Sequence, residues 1–297
     1  MRIVYPRPAY YEVIRSMIYQ IKRSYPFVSC HVCGRSLAGR AIFVLSIGPV
    51  KKSSLFVAGV HGQEWLTSLI LLRFFENICR SIACKEPMCG INICDITNGI
   101  SIIPCLNPDS AQIALCGADG ACCFSRTVCS ISGGDFSDWN ANARGVDINH
   151  NFDAGWELLR RAETEAGITG PSPRRYGGPY PESEPETIAL TNFVRRYSPC
   201  HAVALHSQGE EIYWKYGDNT PERSELMAKL FASSSGYELK ENYGLAAHGG
   251  FKDWFINEFS RPAFTFEIGK GKNPLPLTDF EPIYSRIEEM LTLAAIC

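Results

Sequence analysis

The stretch SLFVAGVHGQEW, residues 54–65, passes from a run of apolar residues directly into polar ones. Its first part, 54–60, is almost entirely apolar, which is typical of a strand covered on both faces. Residues 64–82 continue with the spacing of an amphipathic helix. A buried strand that leads into a helix is the repeating unit of an α/β sheet, and ligands collect where such strands end.

The rest of the chain repeats this alternation without an internal repeat or a linker. Helices are predicted over 10–24, 185–197, 222–234, a short segment ending at 259, and 280–295, and strands over 41–47, 100–106, 202–205 and 263–268. Residues 110–143 and 167–180 show no periodicity, and we expect loops there, the first with or without a short hairpin. The pattern predicts one α/β domain over 1–297, in which residues 1–50 take part.

Composition excludes several classes of protein. The 29 basic and 31 acidic residues nearly balance, so the chain lacks the basic surface that binds nucleic acid. The most apolar stretch, 65–82, contains Arg73, Glu76 and Arg80 and cannot span a membrane. Residues 1–8 lack the apolar core of a secretory signal, so we expect a cytoplasmic protein. The sequence shows no sign of an obligate protein partner, and we expect none.

The thirteen cysteines do not form the pattern of a disulfide scaffold. Their number is odd, and the single CxxC pair, Cys30 and Cys33, has no second pair with which to build a zinc ribbon. Free thiols that pack as small apolar residues are the favoured interpretation. A functional cysteine site is the less favoured alternative.

Three residues could bind a metal ion where strands end. His61 and Glu64 lie three positions apart after the strand 54–60, and His206 follows the strand 202–205. Two imidazoles and a carboxylate suit Zn²⁺, and three protein ligands leave a fourth position open for water, as in catalytic zinc sites. Taken singly, each histidine fits equally well as a hydrogen-bonded residue of the core or the surface.

Several motifs, in order along the chain, resemble those of the zinc metallocarboxypeptidases, the family that includes the digestive carboxypeptidases. The matching segments are His61 with Glu64, Asn107-Pro108-Asp109, Arg144-Gly145-Val146-Asp147-Ile148-Asn149, Ser183-Glu184-Pro185-Glu186-Thr187, His206, and Phe264-Thr265-Phe266-Glu267. The resemblance extends over essentially the whole chain. It implies an α/β domain with a mixed, mostly parallel twisted sheet and helices on both faces.

The resemblance also implies an activity and its residues. It implies one Zn²⁺ per chain, bound by His61, Glu64 and His206, and hydrolysis of a peptide bond by metal-activated water. Glu267 would act as the general base. Arg144 is the candidate for the cation that stabilises the oxyanion, with a salt bridge that shapes its loop as the alternative.

The chain departs from the family at the substrate-binding positions. Ordinary members have Asn-Arg where this chain has Asn149 and His150, so the bidentate clamp on a C-terminal carboxylate is lost. The position that sets the character of the specificity pocket is Lys252, and Asp253 follows it. These two charges could bind a side chain that carries both a carboxylate and an amine, or they could pair with other groups of the protein.

The segments 243–250 and 267–276 are most similar to the bacterial γ-D-glutamyl-meso-diaminopimelate peptidases. That branch implies a small peptide derived from the cell wall as substrate, with Tyr243 or His248 as a further substrate contact. The alternative enzymes are a carboxypeptidase for ordinary peptides and a deacylase of N-acyl amino acids. A relative that binds peptides without cutting them is the alternative from another class, disfavoured because His61, Glu64, His206 and Glu267 are all present.

Overall fold

A mixed sheet of eight strands runs through the part of the chain that the computed structural model describes, residues 2–93, 98–241 and 244–297. The strands are β1 Ser29–Arg35, β2 Ala41–Ile47, β3 Ser54–Val57, β4 Ile100–Ile103, β5 His201–His206, β6 Glu211–Tyr213, β7 Glu238–Lys240 and β8 Ala263–Glu267. Their order is β1-β2-β4-β3-β5-β8-β6-β7. The central four strands, β4-β3-β5-β8, are parallel. The predicted α/β class with a mixed, mostly parallel sheet is confirmed.

Helices cover both faces of this sheet. Within the described residues they are α1 Tyr11–Ser24, α2 Leu66–Cys84, α3 Pro108–Cys116, α4 Ser125–Ser132, α5 Trp156–Glu165, α6 Pro185–Tyr197, α7 Glu222–Ser235, α8 Phe251–Phe259 and α9 Phe280–Ile296. Side chains alternate along β3, because successive residues of a strand point to opposite faces. Phe56 packs into a core with α1, α2, α7 and α9, whereas Leu55 and Val57 pack into a second core with α6 and α8.

The end of β3 is set by a glycine. The strand is shorter than the predicted 54–60, because Gly59 has a φ of +61° and takes the chain out of the ladder. A Cβ atom on Gly59 would lie 2.5 Å from Ser68 Oγ and 2.9 Å from Cys105 Cα, so only glycine fits there. The turn brings His61 to the carboxyl edge of the sheet.

Two further predictions of local structure were wrong. Residues 110–143 are not a run of loops, because α3, a 3₁₀ segment and α4 occupy most of that stretch. The Asn107 side chain caps α3 by accepting a hydrogen bond of 3.2 Å from Ser110 N. These helices have only nine and eight residues, too few for a stable isolated helix, and their packing around Ile113, Val128 and Trp139 stabilises them. The predicted strand 100–106 ends at Ile103.

Four elements had no sequence prediction: α5, β1, β6 and β7. Strand β1 is a half-buried edge strand that carries Cys30 and Cys33. The cysteines of the described residues are free thiols, as predicted. No helix within the described residues combines the length and the apolar character that crossing a membrane requires.

Candidate active site

His61, Glu64 and His206 meet at the carboxyl edge of the parallel strands. His61 follows the Gly59 turn, a 3₁₀ turn Gly62–Glu64 brings the carboxylate back toward it, and His206 is the last residue of β5. His61 Nδ1 lies 2.8 Å from Glu64 Oε1, and His206 Nδ1 lies 3.0 Å from Glu64 Oε2. The structure thus brings together three residues that are separated by up to 145 positions in the chain.

The donor atoms of this group fit a zinc ion. His61 Nδ1 and His206 Nδ1 lie 3.2 Å from each other. Two nitrogens that each bind a tetrahedral zinc at about 2.0–2.1 Å are about 3.3 Å apart. One ligand atom from each of the three side chains lies within 4.8 Å of the others. Since both Nδ1 atoms and the carboxylate face one point, a cation between them would bind all three.

Asp147 holds the ring of His61 through Nε2, a role that was not predicted from the sequence. His61 Nε2 lies 3.1 Å from Asp147 Oδ1, and the backbone N–H groups of Asn149 and Arg175 donate to the same carboxylate at 3.1 and 2.9 Å. A proton on Nε2 leaves the Nδ1 lone pair for the metal, an arrangement common in zinc proteins. The sequence did contain a signal for Asp147, because this residue lies within the motif 144–149 that resembles the family.

The buried charges of this group hold one another in their ionised forms. Burial by itself lowers the pKa of His61, but the carboxylates of Glu64 and Asp147 outweigh burial and raise it well above the ordinary value. Burial by itself raises the pKa of Glu64, but the His61 and His206 rings lower it to about 2. The cluster therefore presents ionised carboxylates to a cation.

Glu267 lies beside the metal-binding group on the neighbouring strand. It ends β8, and its Cα is the register partner of His206 in the parallel pair β5–β8. Burial raises the pKa of Glu267 well above its ordinary value, and the Glu64 carboxylate adds to the rise. An elevated pKa suits a carboxyl group that takes up a proton and later releases it.

A cavity of about 200 Å³ opens over these residues. Its lining residues are His61, Asn149, His150, His206, Tyr213, Ala246, His248, Gly250, Lys252, Asp253, Thr265 and Glu267. The structure thus brings most of the predicted substrate-binding residues to the same cavity as the metal-binding histidines. Tyr243, also predicted as a substrate contact, lies outside the described residues.

Asn149 and His150 form one side of this cavity. Asn149 Oδ1 accepts a hydrogen bond of 3.1 Å from Phe251 N, at the start of α8. His150 Nδ1 lies 2.9 Å from Glu163 Oε1 and 3.1 Å from the backbone oxygen of Arg175. One of the two ring nitrogens of His150 is therefore already engaged by the protein.

Lys252 and Asp253 line the same cavity and are buried. They are 3% and 1% exposed, and Lys252 Nζ donates to Asp253 Oδ1 and, at 2.9 Å, to the backbone oxygen of Lys215. The same ammonium lies 5.8 Å from the centre of the Tyr216 ring, whose hydroxyl is 3.1 Å from His248 Nδ1. Both charges pair with protein groups, as in the alternative interpretation, and both also line the cavity.

The structure does not bring Arg144 to the cavity. Its half-exposed guanidinium forms a salt bridge of 3.0 Å with the buried Glu184, and Arg144 is absent from the cavity lining. Glu184 also accepts a hydrogen bond of 2.6 Å from Asn142 Nδ2. Arg144 thus occupies the position expected of a residue that shapes the loop before Asp147, the alternative raised from the sequence.

Comparison with known proteins gives a consistent set of similarities. A family profile described as zinc carboxypeptidase matches residues 14–290. The γ-D-glutamyl-L-diamino acid endopeptidase 1 of Lysinibacillus sphaericus is 32% identical over 278 residues, which cover 92% of this chain and 69% of that protein. The uncharacterized protein YqgT of Bacillus subtilis (strain 168) is 36% identical over 287 residues, with 94% and 75% covered.

A solved structure shows the same fold at lower identity. Bovine thrombin-activatable fibrinolysis inhibitor, in complex with tick carboxypeptidase inhibitor, superposes with a TM-score of 0.75 and 22% identity. The match covers 98% of this chain and 97% of that one.

Proposed function

The chain belongs to the zinc carboxypeptidase family, and from this premise we propose that it hydrolyses the γ-D-glutamyl–meso-diaminopimelate bond of peptides derived from the cell wall. Family membership makes the chain a zinc metallopeptidase and therefore a hydrolase. One observation above all supports the substrate: His61 and His206 of the metal-binding group line the same cavity as the buried pair Lys252 and Asp253.

The residues of the cavity would divide the reaction between them. His61, Glu64 and His206 would hold the zinc ion, which when bound acidifies a water molecule and polarises the scissile carbonyl. Glu267 would take the proton of the attacking water as its oxygen bonds to the carbonyl carbon. The same carboxyl group would then deliver this proton to the departing amine nitrogen as the carbon–nitrogen bond breaks.

The loss of the guanidinium clamp supports a substrate other than an ordinary peptide. An arginine binds a C-terminal carboxylate through two parallel hydrogen bonds, and an imidazole can offer only one. His150 already uses Nδ1 for Glu163 and Arg175, so a single nitrogen remains for the substrate. His150 therefore gives the cavity only a weak preference for substrates that have a free α-carboxylate.

The Lys252–Asp253 pair complements a substrate side chain that carries one positive and one negative charge. The side chain of meso-diaminopimelate ends in an ammonium and a carboxylate on one carbon atom. Asp253 can accept from that ammonium, and Lys252 can donate to that carboxylate, so that each buried charge keeps an opposite partner. An apolar side chain could form neither of these contacts, and a singly charged side chain could form only one of them.

The direct test is product identification. The zinc-loaded enzyme is incubated with L-Ala-γ-D-Glu-meso-diaminopimelate and, separately, with an all-L tripeptide, and the products are identified by mass spectrometry. We expect free meso-diaminopimelate from the first peptide and little or no hydrolysis of the second. Preferred release of a C-terminal amino acid from the all-L peptide would instead establish the alternative, an ordinary carboxypeptidase.

A variant separates recognition from catalysis. Lys252→Met keeps the length of the side chain and removes its charge, so it should lower kcat/KM for the diaminopimelate peptide by about 10- to 100-fold. The lysine analogue of this peptide lacks the second carboxylate and should lose much less. Lys215→Met, at an exposed position, is the control. Equal losses on both peptides would contradict the assignment of Lys252 to the carboxylate.

A cytoplasmic place of action, on peptides already released from the wall, stays a prediction. Immunoblotting of fractionated cells tests it.

A further inference from the structure

Glu163 is a fully buried carboxylate that belongs neither to the metal-binding group nor to the residues that line the cavity. It lies on α5, where its Oε1 atom faces His150 Nδ1 at 2.9 Å. Its Oε2 atom accepts from Arg160 Nη1 and, at 3.2 Å, from Gly177 N. Oε1 thus contacts His150, whereas Oε2 accepts from Arg160 and Gly177.

The surroundings of His150 Nδ1 determine which ring nitrogen carries the proton. Besides Glu163, the backbone oxygen of Arg175 lies 3.1 Å from Nδ1. A backbone carbonyl can only accept, and the Glu163 carboxylate, held by two donors on its other oxygen, accepts as well. Nδ1 must therefore be protonated, and Nε2 is the nitrogen through which the ring can bind a group in the cavity.

We propose that Glu163 is a positioning residue for substrate binding: it holds His150 in the Nδ1–H form and so makes Nε2 the single contact that this side of the cavity offers to the substrate. In this tautomer Nε2 presents a lone pair, which accepts from an amide or ammonium of the substrate. The role is a refinement of the proposed function, since it requires the cavity to be the substrate site.

Replacement of Glu163 by glutamine makes a sharp prediction about the tautomer. Arg160 and Gly177 both donate to the Oε2 position, so the single carbonyl oxygen of the glutamine must occupy it. The amide nitrogen then lies at the Oε1 position and donates to His150 Nδ1. We expect the ring proton to move to Nε2, which removes the lone pair from the cavity.

The tautomer can be measured without a substrate. The chain has six histidines, so the zinc-loaded protein labelled with ¹⁵N at histidine gives few ring signals, and His150→Gln assigns the one of interest. Two-bond proton–nitrogen spectra should show Nδ1–H at His150 in the wild type and Nε2–H in Glu163→Gln. A wild-type ring protonated only at Nε2, or the same tautomer in both proteins, would overturn the proposal. The wild-type spectrum decides even where the variant fails to fold.

Kinetics then test whether the tautomer matters to the substrate. With whichever peptide the wild-type enzyme hydrolyses, Glu163→Gln should raise KM about tenfold and change kcat by less than about threefold. Glu165→Gln, the same charge change at an exposed position of α5, should leave both constants unchanged. An unaltered KM in Glu163→Gln would refute the role in binding.

A double variant excludes a merely structural effect. If Glu163 acts through His150, adding Glu163→Gln to His150→Ala should raise KM no further. Additive losses would mean that Glu163 acts by another route and would overturn the proposal. Because the spectra need no substrate and the kinetics use the peptide that is cut, failure of the diaminopimelate assignment would be seen separately, in the product analysis.

Discussion

Glu267 and His206 are the last residues of adjacent parallel strands, and this placement gives the two side chains a fixed relation. The Cα atoms are register partners in the β5–β8 pair, so the carboxyl group lies beside the metal-binding nitrogen without any contribution from a flexible loop. A group on a strand is held more rigidly than one on a loop, and proton transfer requires such fixed positions.

Glu267→Gln should abolish turnover and leave the zinc content unchanged. The amide keeps the shape of the side chain but cannot accept the proton of the attacking water, so kcat should fall by about 10²- to 10⁴-fold. Steady-state kinetics and metal analysis of the purified variant check both halves. Glu238→Gln, at an exposed position on β7 of the same sheet, is the control. Turnover near the wild-type level would remove Glu267 from the role of general base.

The residues proposed to bind metal could be predicted from the sequence, whereas Glu163, which contacts a residue of the cavity lining, could not. His61, Glu64 and His206 stand directly after apolar strands, and the carboxyl ends of parallel strands share one edge of a sheet. Glu163 gives no such signal, because its partner His150 lies 13 positions away, across a turn that the sequence does not predict. Arg144 shows the opposite case, since a motif residue pairs with Glu184 outside the cavity.

At the scale of elements, the segment 175–177 contacts both Asp147, which lies next to His61, and His150 in the cavity lining. Arg175 N donates to the Asp147 carboxylate, and the backbone oxygen of Arg175 faces His150 Nδ1. The backbone of the next residue, Tyr176, accepts from Asp147 N at 2.7 Å. One irregular segment therefore positions both Asp147, which contacts His61, and His150 in the lining of the cavity.

Gly155, at the start of α5, lies in close contact with His248, which lines the cavity. Gly155 has a φ of +63°, and a Cβ atom on it would lie 2.6 Å from His248 Nδ1 and 2.9 Å from Tyr216 Oη. Only a residue without a side chain allows these two to lie so near the backbone. The hydrogen bond between His248 and Tyr216 therefore depends on this glycine.

Gly155→Ala should disturb the site as well as the stability. Any alanine at this φ costs about 1–2 kcal/mol of unfolding free energy. Gly133→Ala is a matched control, since Gly133 has the same φ of +63° with open space around it. Only Gly155→Ala should also raise KM severalfold, because it displaces His248 and Tyr216. Denaturant titrations and kinetics compare the two variants, and equal effects in both would show that the close contact has no consequence.

The first turn of α6 contains a buried carboxyl group far from the metal. Glu186 is fully buried, accepts from Leu37 N at 3.1 Å and faces Asn142 Nδ2 at 3.2 Å. Burial raises the pKa of Glu186 to about 7, and the neighbouring Asp109 contributes to the rise. The folded protein therefore favours the neutral form of this group near neutral pH.

Glu186→Gln should make the protein less sensitive to rising pH. Because the pKa of Glu186 is higher in the folded than in the unfolded chain, its stabilisation is complete below about pH 4.5 and is lost as pH rises to about 7. One pKa unit corresponds to 1.36 kcal/mol, so over this pH range the unfolding free energy of the wild type should fall by about 3 kcal/mol relative to that of Glu186→Gln. Denaturant unfolding of both proteins from pH 4.5 to 8 measures it, with the exposed Glu222→Gln as control. Parallel pH curves for wild type and Glu186→Gln would contradict the expectation.

The elements that sequence patterns revealed are those with a long apolar face. Helix α6, predicted over 185–197, is found with the same bounds, because Pro185 and the acidic residues beside it mark the start. Strands β6 and β7 have only three residues each, too few for a pattern to be seen. Helices α3 and α4 escaped detection because tertiary packing, rather than an apolar stripe, stabilises them.

At the scale of the whole molecule, each face of the sheet has its own hydrophobic core. Both cores are built from apolar side chains of strands and helices, and His61, Glu64 and His206 add no apolar packing to them. The parallel strands carry these three residues only at their ends. Burial of apolar side chains, which is the main source of stability, therefore does not require the ion.

Removal of zinc should end activity and leave the protein folded. A chelator should leave the far-ultraviolet circular dichroism unchanged, because both cores persist, while the thermal midpoint decreases as the stabilisation by bound ligand is lost. Each tenfold increase in free zinc above the dissociation constant should restore about 1.4 kcal/mol. His206→Ala lacks one of the three ligands, so its midpoint should respond much less to zinc over the same range. Loss of the folded spectrum on chelation would show that the metal, rather than the two cores, maintains this fold.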